Sequence, residues 1–179
     1  MYPDVILLNG TGSSGKTSLA KELQELLPTQ FLNFSIDSVL YALPPSDLKH
    51  MMKGEEITRD GYNYGQLTEG YHRCVKGLLE SGCRVIIDNA WINEEEIDAL
   101  ESVLKGFNVQ RVKVQCRLDV CVARELARGD RAIGLAEWEF PLVHQHMKYD
   151  LVVDTSDISP KEAAAQLFEK LRSGEEVEA

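Results

Sequence analysis

Eight consecutive residues, Gly10-Thr11-Gly12-Ser13-Ser14-Gly15-Lys16-Thr17, carry the strongest chemical signal in this chain. They read G-x-x-x-x-G-K-T, the P-loop pattern. Glycines let the backbone curl until successive N–H groups converge on phosphate oxygens. A helix opening behind them adds its free amides and positive dipole end. Lys16 supplies a mobile charge for the β- and γ-phosphates, and the Thr17 hydroxyl can take a place around Mg²⁺. The expected nucleotide cradle therefore comprises Gly10, Thr11, Gly12, Ser13, Ser14, Gly15, Lys16, Thr17 and the next residue, Ser18.

Such a cradle works only between a buried strand and a helix. Val5–Leu8 is an apolar run of strand length, and Leu19, Ala20, Leu23, Leu26 and Leu27 recur on one helix face before Pro28. Farther on, Phe31–Ile36 reads as a second strand ending at Asp37. A carboxylate at a strand's C-terminal end lies where ligands bind in an α/β sheet, although Asp37 could equally cap a short helix over 38–43. Arg84–Asp88 is a third strand, and an apolar run ending in Asp resembles the carboxylate element that holds Mg²⁺ beside a P-loop. Asp88 and Thr17 are thus the candidate metal ligands.

The intervening stretch 46–65 shows no clear period. It is expected to be a long functional or mobile loop with a short helix near 48–53, Gly65 marking a turn and Tyr62 and Tyr64 exposed. Leu67, Tyr71, Cys74, Val75, Leu78 and Leu79 follow helix spacing, with His72 beside the stripe as a satisfied or solvated histidine. Trp91 could serve an acceptor pocket or the core. Asn93 with Glu96 has the spacing of a capping box ahead of Ile97, Leu100 and Leu104.

Val109–Cys116 alternates apolar with Arg111, Lys113 and Gln115, which fits a strand with one poorly covered face. A helix capped by Asp119 should turn Val122, Ala123, Leu126 and Ala127 inward. Arg124, Arg128 and Arg131 then crowd its end, and like charges at i,i+4 call for an anion such as phosphate between them. A helix is expected within 137–149, entered near Pro141, where His144 and His146 point to different faces. Leu151–Asp154 is a fifth strand, and Ser159-Pro160-Lys161-Glu162 starts a final helix.

Five strand–helix repeats predict an α/β fold: a five-stranded parallel sheet with helices on both faces. One domain over 1–174 is expected, with an acidic tail at 175–179. Formal net charge is −10, against a nucleic-acid partner. No apolar run reaches membrane-spanning length, and a strand beginning at residue 5 leaves no room for a leader. Cys74, Cys83, Cys116 and Cys121 lack C-x-x-C spacing, so reduced thiols and a cytoplasmic location are expected. The oligomeric state stays open.

The P-loop, Ile36-Asp37-Ser38, the strand 84–88, the run RELARGDRAIGLA over 124–136, Tyr149-Asp150 and Val152-Val153-Asp154-Thr155 together resemble the chloramphenicol phosphotransferase family. These stretches span most of the chain, and Ala-Arg-Gly-Asp-Arg is the most specific. The resemblance implies a P-loop small-molecule kinase, folded as a P-loop kinase-type three-layer sandwich with a small lid at 128–136, with ATP as donor, Mg²⁺ as cofactor and a hydroxyl as acceptor. It implies that Asp37 is the base and that Arg128 and Arg131 are lid arginines acting on the transferring group with Lys16. Arg124 could stack on adenine. Asn89 departs from the family's second acidic residue and the 46–65 stretch is its own, which leaves the acceptor open. A kinase of another metabolite or nucleotide, and a nucleotide-binding switch without turnover, are the rival readings.

Overall fold

The computed structural model describes residues 2–129 and 133–174. Five parallel strands form one sheet in the order β2-β3-β1-β4-β5. They are β1 (Val5–Asn9), β2 (Leu32–Asn33), β3 (Val85–Asn89), β4 (Val109–Gln115) and β5 (Leu151–Asp154). The helices among the described residues are α1 (Lys16–Leu26), α2 (Ile36–Leu40), α3 (Pro45–Met52), α4 (Tyr64–Glu80), α5 (Glu94–Leu104), α6 (Leu118–Arg128), α7 (Leu135–Glu139) and α8 (Pro160–Ser173).

β1 sits mid-sheet, so both of its faces are covered and all five residues are buried. Alternate side chains divide between two cores. Ile6 and Leu8 pack with Leu19, Leu23, Ala163, Ala164 and Leu167 from α1 and α8. Val5 and Leu7 pack with Tyr71, Val75, Ile97 and Leu100 from α4 and α5. The two helix layers predicted from the strand–helix alternation are therefore present, and parallel register places Leu8 beside Asp88 and Asn9 beside Asn89. No helix among the described residues is long and apolar enough to cross a membrane.

Several local expectations are corrected. The second strand is only Leu32–Asn33, because the chain leaves the sheet and enters α2 at Ile36. Asp37 is thus in the first turn of a helix, and Ser35, not Asp37, is its N-cap residue. The supposed loop 46–65 contains all of α3 but its first residue, Pro45, and the start of α4. Asn63 caps α4 through a reciprocal capping box with Gln66, so Gly65 is helical. N-x-x-Q was the legible signal there.

On α6 the inward face is Cys121 and Glu125, whereas Leu126 is 56% exposed. Arg117 holds the N-cap position, where Asp119 was expected. α7 covers only 135–139, and 140–149 continues as turns, because Pro141 lacks the amide a longer helix needs. β4 is an interior strand despite its polar residues. Its Arg111 side chain is bonded to Glu101 at 2.6 Å, and its backbone N–H donates to Asp150 at 2.7 Å, which satisfies the polar face. The predicted tail at 175–179 lies outside the described residues.

Candidate active site

The phosphate loop follows β1 and opens α1, the context its chemistry requires. Gly15 takes φ +91° and Ser13 φ +62°, and alternation into the left-handed region aims neighbouring amides toward one point. Gly10 is needed for another reason: a Cβ there would lie 2.5 Å from the Val114 carbonyl oxygen of β4. Lys16 is buried at the helix start, with Nζ donating to the carbonyls of Gly10 at 2.7 Å and Thr11 at 2.9 Å. The loop after β5 is fastened to the phosphate loop, since Thr155 Oγ1 donates to the Ser14 carbonyl at 2.6 Å.

A cavity of about 520 Å³ opens in front of this loop. Gly12, Ser13, Gly15, Lys16, Thr17 and Ser18 form one wall, and Asp37, Asp88, Arg128 and Glu139 also line it. The structure therefore brings together every predicted catalytic residue among those described. Arg131, and with it the middle of the predicted lid, lies outside the described residues. Asp88 is buried at the C-terminal end of β3, and Thr17 is exposed to the same cavity. One carboxylate and one hydroxyl suit Mg²⁺, which takes most of its remaining oxygens from water and phosphate. No group of three or more His, Cys, Asp or Glu side chains among the described residues is arranged to hold a metal.

Arg124 is placed differently from Arg128. Its Nη2 donates to the Thr155 carbonyl at 2.8 Å, its Nη1 approaches Cys116 Sγ at 3.4 Å, and it stands beside Gly15 outside the cavity wall. The two arginines thus have separate surroundings, and the like-charge crowding expected from their spacing is relieved by protein groups around Arg124. Hydrogen bonding to Cys121, supported by Thr155 and Arg124, lowers the Cys116 thiol to about 6.

Two glutamates flanking the predicted lid, Glu125 and Glu139, were missed by sequence reasoning. The buried Glu125 carboxylate accepts from the amides of Gly134 at 2.8 Å and Ala136 at 2.9 Å, which caps α7. α7 in turn delivers Glu139, whose Oε2 accepts from the Gly12 amide at 2.5 Å. No periodicity or spacing announces either contact, because both depend on how α6 and α7 meet.

Apolar side chains line much of the cavity as well: Leu40, Met51, Met52, Ile92 and Trp138, with Tyr64 and Glu96. Trp91 is not part of it. That ring is fully buried in the core beneath, and its backbone amide is held by Asn9 Oδ1 at 2.9 Å. His72 is buried, not solvated, and its Nε2 has no hydrogen-bond partner among the described residues. Burial lowers its pKa. The expected capping box at Asn93 is absent: its side chain makes no capping bond, and Glu96 Oε1 instead accepts from Asn89 Nδ2 at 3.2 Å. Burial raises the Glu96 carboxyl to about 7.

Behind the site, Asn9 ties three segments together. Its Nδ2 donates to the Val143 carbonyl and to Tyr149 Oη, each at 2.8 Å, and Tyr149 Oη lies 2.8 Å from His144 Nδ1. Asn9 Nδ2 can only donate, so the tyrosine hydrogen is available to the imidazole. His144 is pushed down to about 4, chiefly by burial and then by the charges of Lys113 and Lys16.

The model of the family described as chloramphenicol phosphotransferase-like protein matches residues 3–172. A protein of Mycobacterium tuberculosis strain H37Rv, which bears the provisional name O-phosphotransferase, is 31% identical, covering 94% of this chain and 82% of that protein. Among solved structures, a sugar kinase from Janibacter superposes with a TM-score of 0.70 at 15% identity, covering 94% of each chain. The APS kinase of Mycobacterium tuberculosis, in complex with AMPPNP and APS, gives 0.68 at 16% identity over 96% of this chain and 98% of that one. Likeness at that identity speaks for the fold, and the family match covers nearly the whole chain. The chain belongs to the chloramphenicol phosphotransferase-like family and is a phosphotransferase on the P-loop kinase fold.

Proposed function

We propose that this protein transfers the γ-phosphoryl group of ATP to a hydroxyl of a small molecule. The observation that carries the reading is that one cavity is lined by the phosphate loop and Lys16, by Asp88 and Asp37, and by apolar side chains. A second observation supports it: the Gly12 amide already takes a carboxylate oxygen, so the loop is set to bind anions.

In the reaction the acceptor oxygen forms a bond to the γ-phosphorus while the bond to the β–γ bridging oxygen breaks and ADP leaves. Asp37 orients the acceptor hydroxyl and takes its proton. Lys16 and Arg128 balance charge on the transferring group, a task for which Arg131 is also proposed. Mg²⁺, held by Thr17 and Asp88, would add charge neutralisation on the phosphates. Arg124 beside Gly15 and Thr155 is suited to flank the adenine. Residues 128–136 would close as a lid and exclude water. Free thiols and the need for ATP favour the cytoplasm. The apolar wall favours an acceptor with an apolar body, and chloramphenicol is the first compound to try.

The test is ADP formation across a panel of hydroxylated compounds, chloramphenicol included. The reading requires at least one compound that raises ADP release well above the acceptor-free rate and is recovered as its phosphate ester. Nucleotide binding with no acceptor-dependent ester would instead indicate a switch.

A further inference from the structure

We propose that the acceptor carries an amino group as well as its reacting hydroxyl, and that Glu96 receives that amine through Oε2. This deepens the kinase reading and rests on it.

Glu96 is the third residue of α5, where a glutamate usually turns back to cap its own helix. Here the Asn93 side chain makes no capping bond, and Glu96 faces the cavity. Its Oε1 is engaged by Asn89 Nδ2 at 3.2 Å, and no other donor among the described residues reaches the carboxylate. Oε2 is therefore available to a ligand.

The charges lining the cavity point to the sign of that ligand. Among the described residues that line the cavity, Asp37, Asp88, Glu96 and Glu139 supply carboxylates, and Lys16 and Arg128 supply cations. In the proposed reaction both cations are claimed by the triphosphate, and Asp88 faces the metal. Asp37 and Glu96 are left facing the acceptor. A carboxylate or phosphate on the acceptor beside Glu96 would meet a like charge, and a neutral acceptor would leave the half-buried Glu96 without a compensating partner among the described residues. An ammonium group neutralises it through a charge-assisted hydrogen bond. Leu40, Met51, Met52 and Ile92 would cover the apolar body between the two polar ends. Among the described residues no cation pairs with Glu96, and burial raises its carboxyl; an ammonium ligand would relieve that burial.

Three matched probes isolate the charge: phenylalaninol, N-acetylphenylalaninol and 2-benzyl-3-hydroxypropanoic acid. They share a benzyl group and a primary alcohol, and differ in bearing an amine, an amide or a carboxylate. Binding is measured by calorimetry with Mg²⁺ and a non-hydrolysable ATP analogue, on wild type, Glu96→Gln and Glu96→Lys. The amine should bind about tenfold tighter than the amide, with the acid weakest. Glu96→Gln should erase the amine's advantage, and Glu96→Lys should put the acid first. If Glu96→Lys does not fold, the Glu96→Gln comparison decides. Failure of all three probes to bind, an order in which the amine is not first, or an amine preference that survives Glu96→Gln overturns the proposal. Binding in the stated order without phosphoryl transfer to any hydroxyl would refute the kinase reading and leave the Glu96 site. Transfer to the acid as fast as to the amine would do the reverse.

Discussion

Glu139 Oε2 accepts a hydrogen bond from the Gly12 amide at 2.5 Å, so a carboxylate from α7 stands in the mouth of the phosphate loop. ATP brings like charge to the same wall. At a few ångströms, even in a partly solvated site, removal of one such charge is worth roughly 1 kcal/mol or more. Glu139→Gln should therefore tighten ATP binding about five- to tenfold, measured by calorimetry without acceptor. Equal or weaker affinity would mean that Glu139 helps build the loop.

Asp37 lies in the first turn of α2 and lines the cavity, and Ser35 occupies the N-cap position. Asp37→Asn keeps size but cannot take a proton. The acceptor-dependent rate should fall roughly 10²- to 10⁴-fold, with ATP affinity nearly unchanged. Loss of a first-turn carboxylate should cost only about 0.3–1 kcal/mol of stability. A normal rate in the folded variant would move the base assignment to Asp88.

Gly10 is packed against β4, with the Val114 carbonyl oxygen 2.5 Å from where a Cβ would lie. Backbone cannot yield as a flexible side chain can. Gly10→Ala should destabilise the protein by about 1–3 kcal/mol in urea unfolding. A neutral result would show that the phosphate loop is free to slide over β4.

His144 sets a pH dependence. Its pKa in the fold is about 4, below the ordinary value near 6.5, so the folded state keeps it neutral while the unfolded state takes a proton. Between those values the unfolded state binds more protons, so stability falls as pH drops from about 6.5 to about 4. With its partial solvent contact, the effect should be on the order of 1 kcal/mol. His144→Asn should lack this component of the slope, measured as the difference in unfolding free energy from wild type across that window. An NMR titration giving His144 a pKa of 6 or above would refute it.

Much of the donor half was legible in the sequence, because a P-loop is local: Gly10–Thr17, a buried strand before it and a helix after it. Asp37 and Asp88 were readable as carboxylates on the ligand edge, although Asp37 turned out to be helical where a strand end was expected. Period alone cannot tell how soon a short apolar run leaves a sheet. The acceptor half was largely illegible. Tyr64 was assigned to a loop because the Asn63–Gln66 capping box went unread, and Glu96 was assigned to a cap because its spacing fits one. Glu125 and Glu139 act across helices, and α6 buries Glu125 while exposing Leu126, against the rule that apolar residues mark the inner face. Local periodicity carries no record of such tertiary demands.

The central claim is that Lys16 and the phosphate loop perform phosphoryl transfer to an alcohol. The direct measurement is transfer of label from γ-³²P-ATP to an acceptor found in the hydroxyl-compound panel, by wild type and by Lys16→Ala at equal thermal stability. The Lys16 ammonium stands at the cavity wall with its Nζ on the carbonyls of Gly10 and Thr11, placed to meet the phosphates. The account predicts a labelled phosphate ester with wild type and a loss of at least about 10²-fold with Lys16→Ala. Equal ester formation by the two proteins, or labelled inorganic phosphate as wild type's sole product, would contradict it.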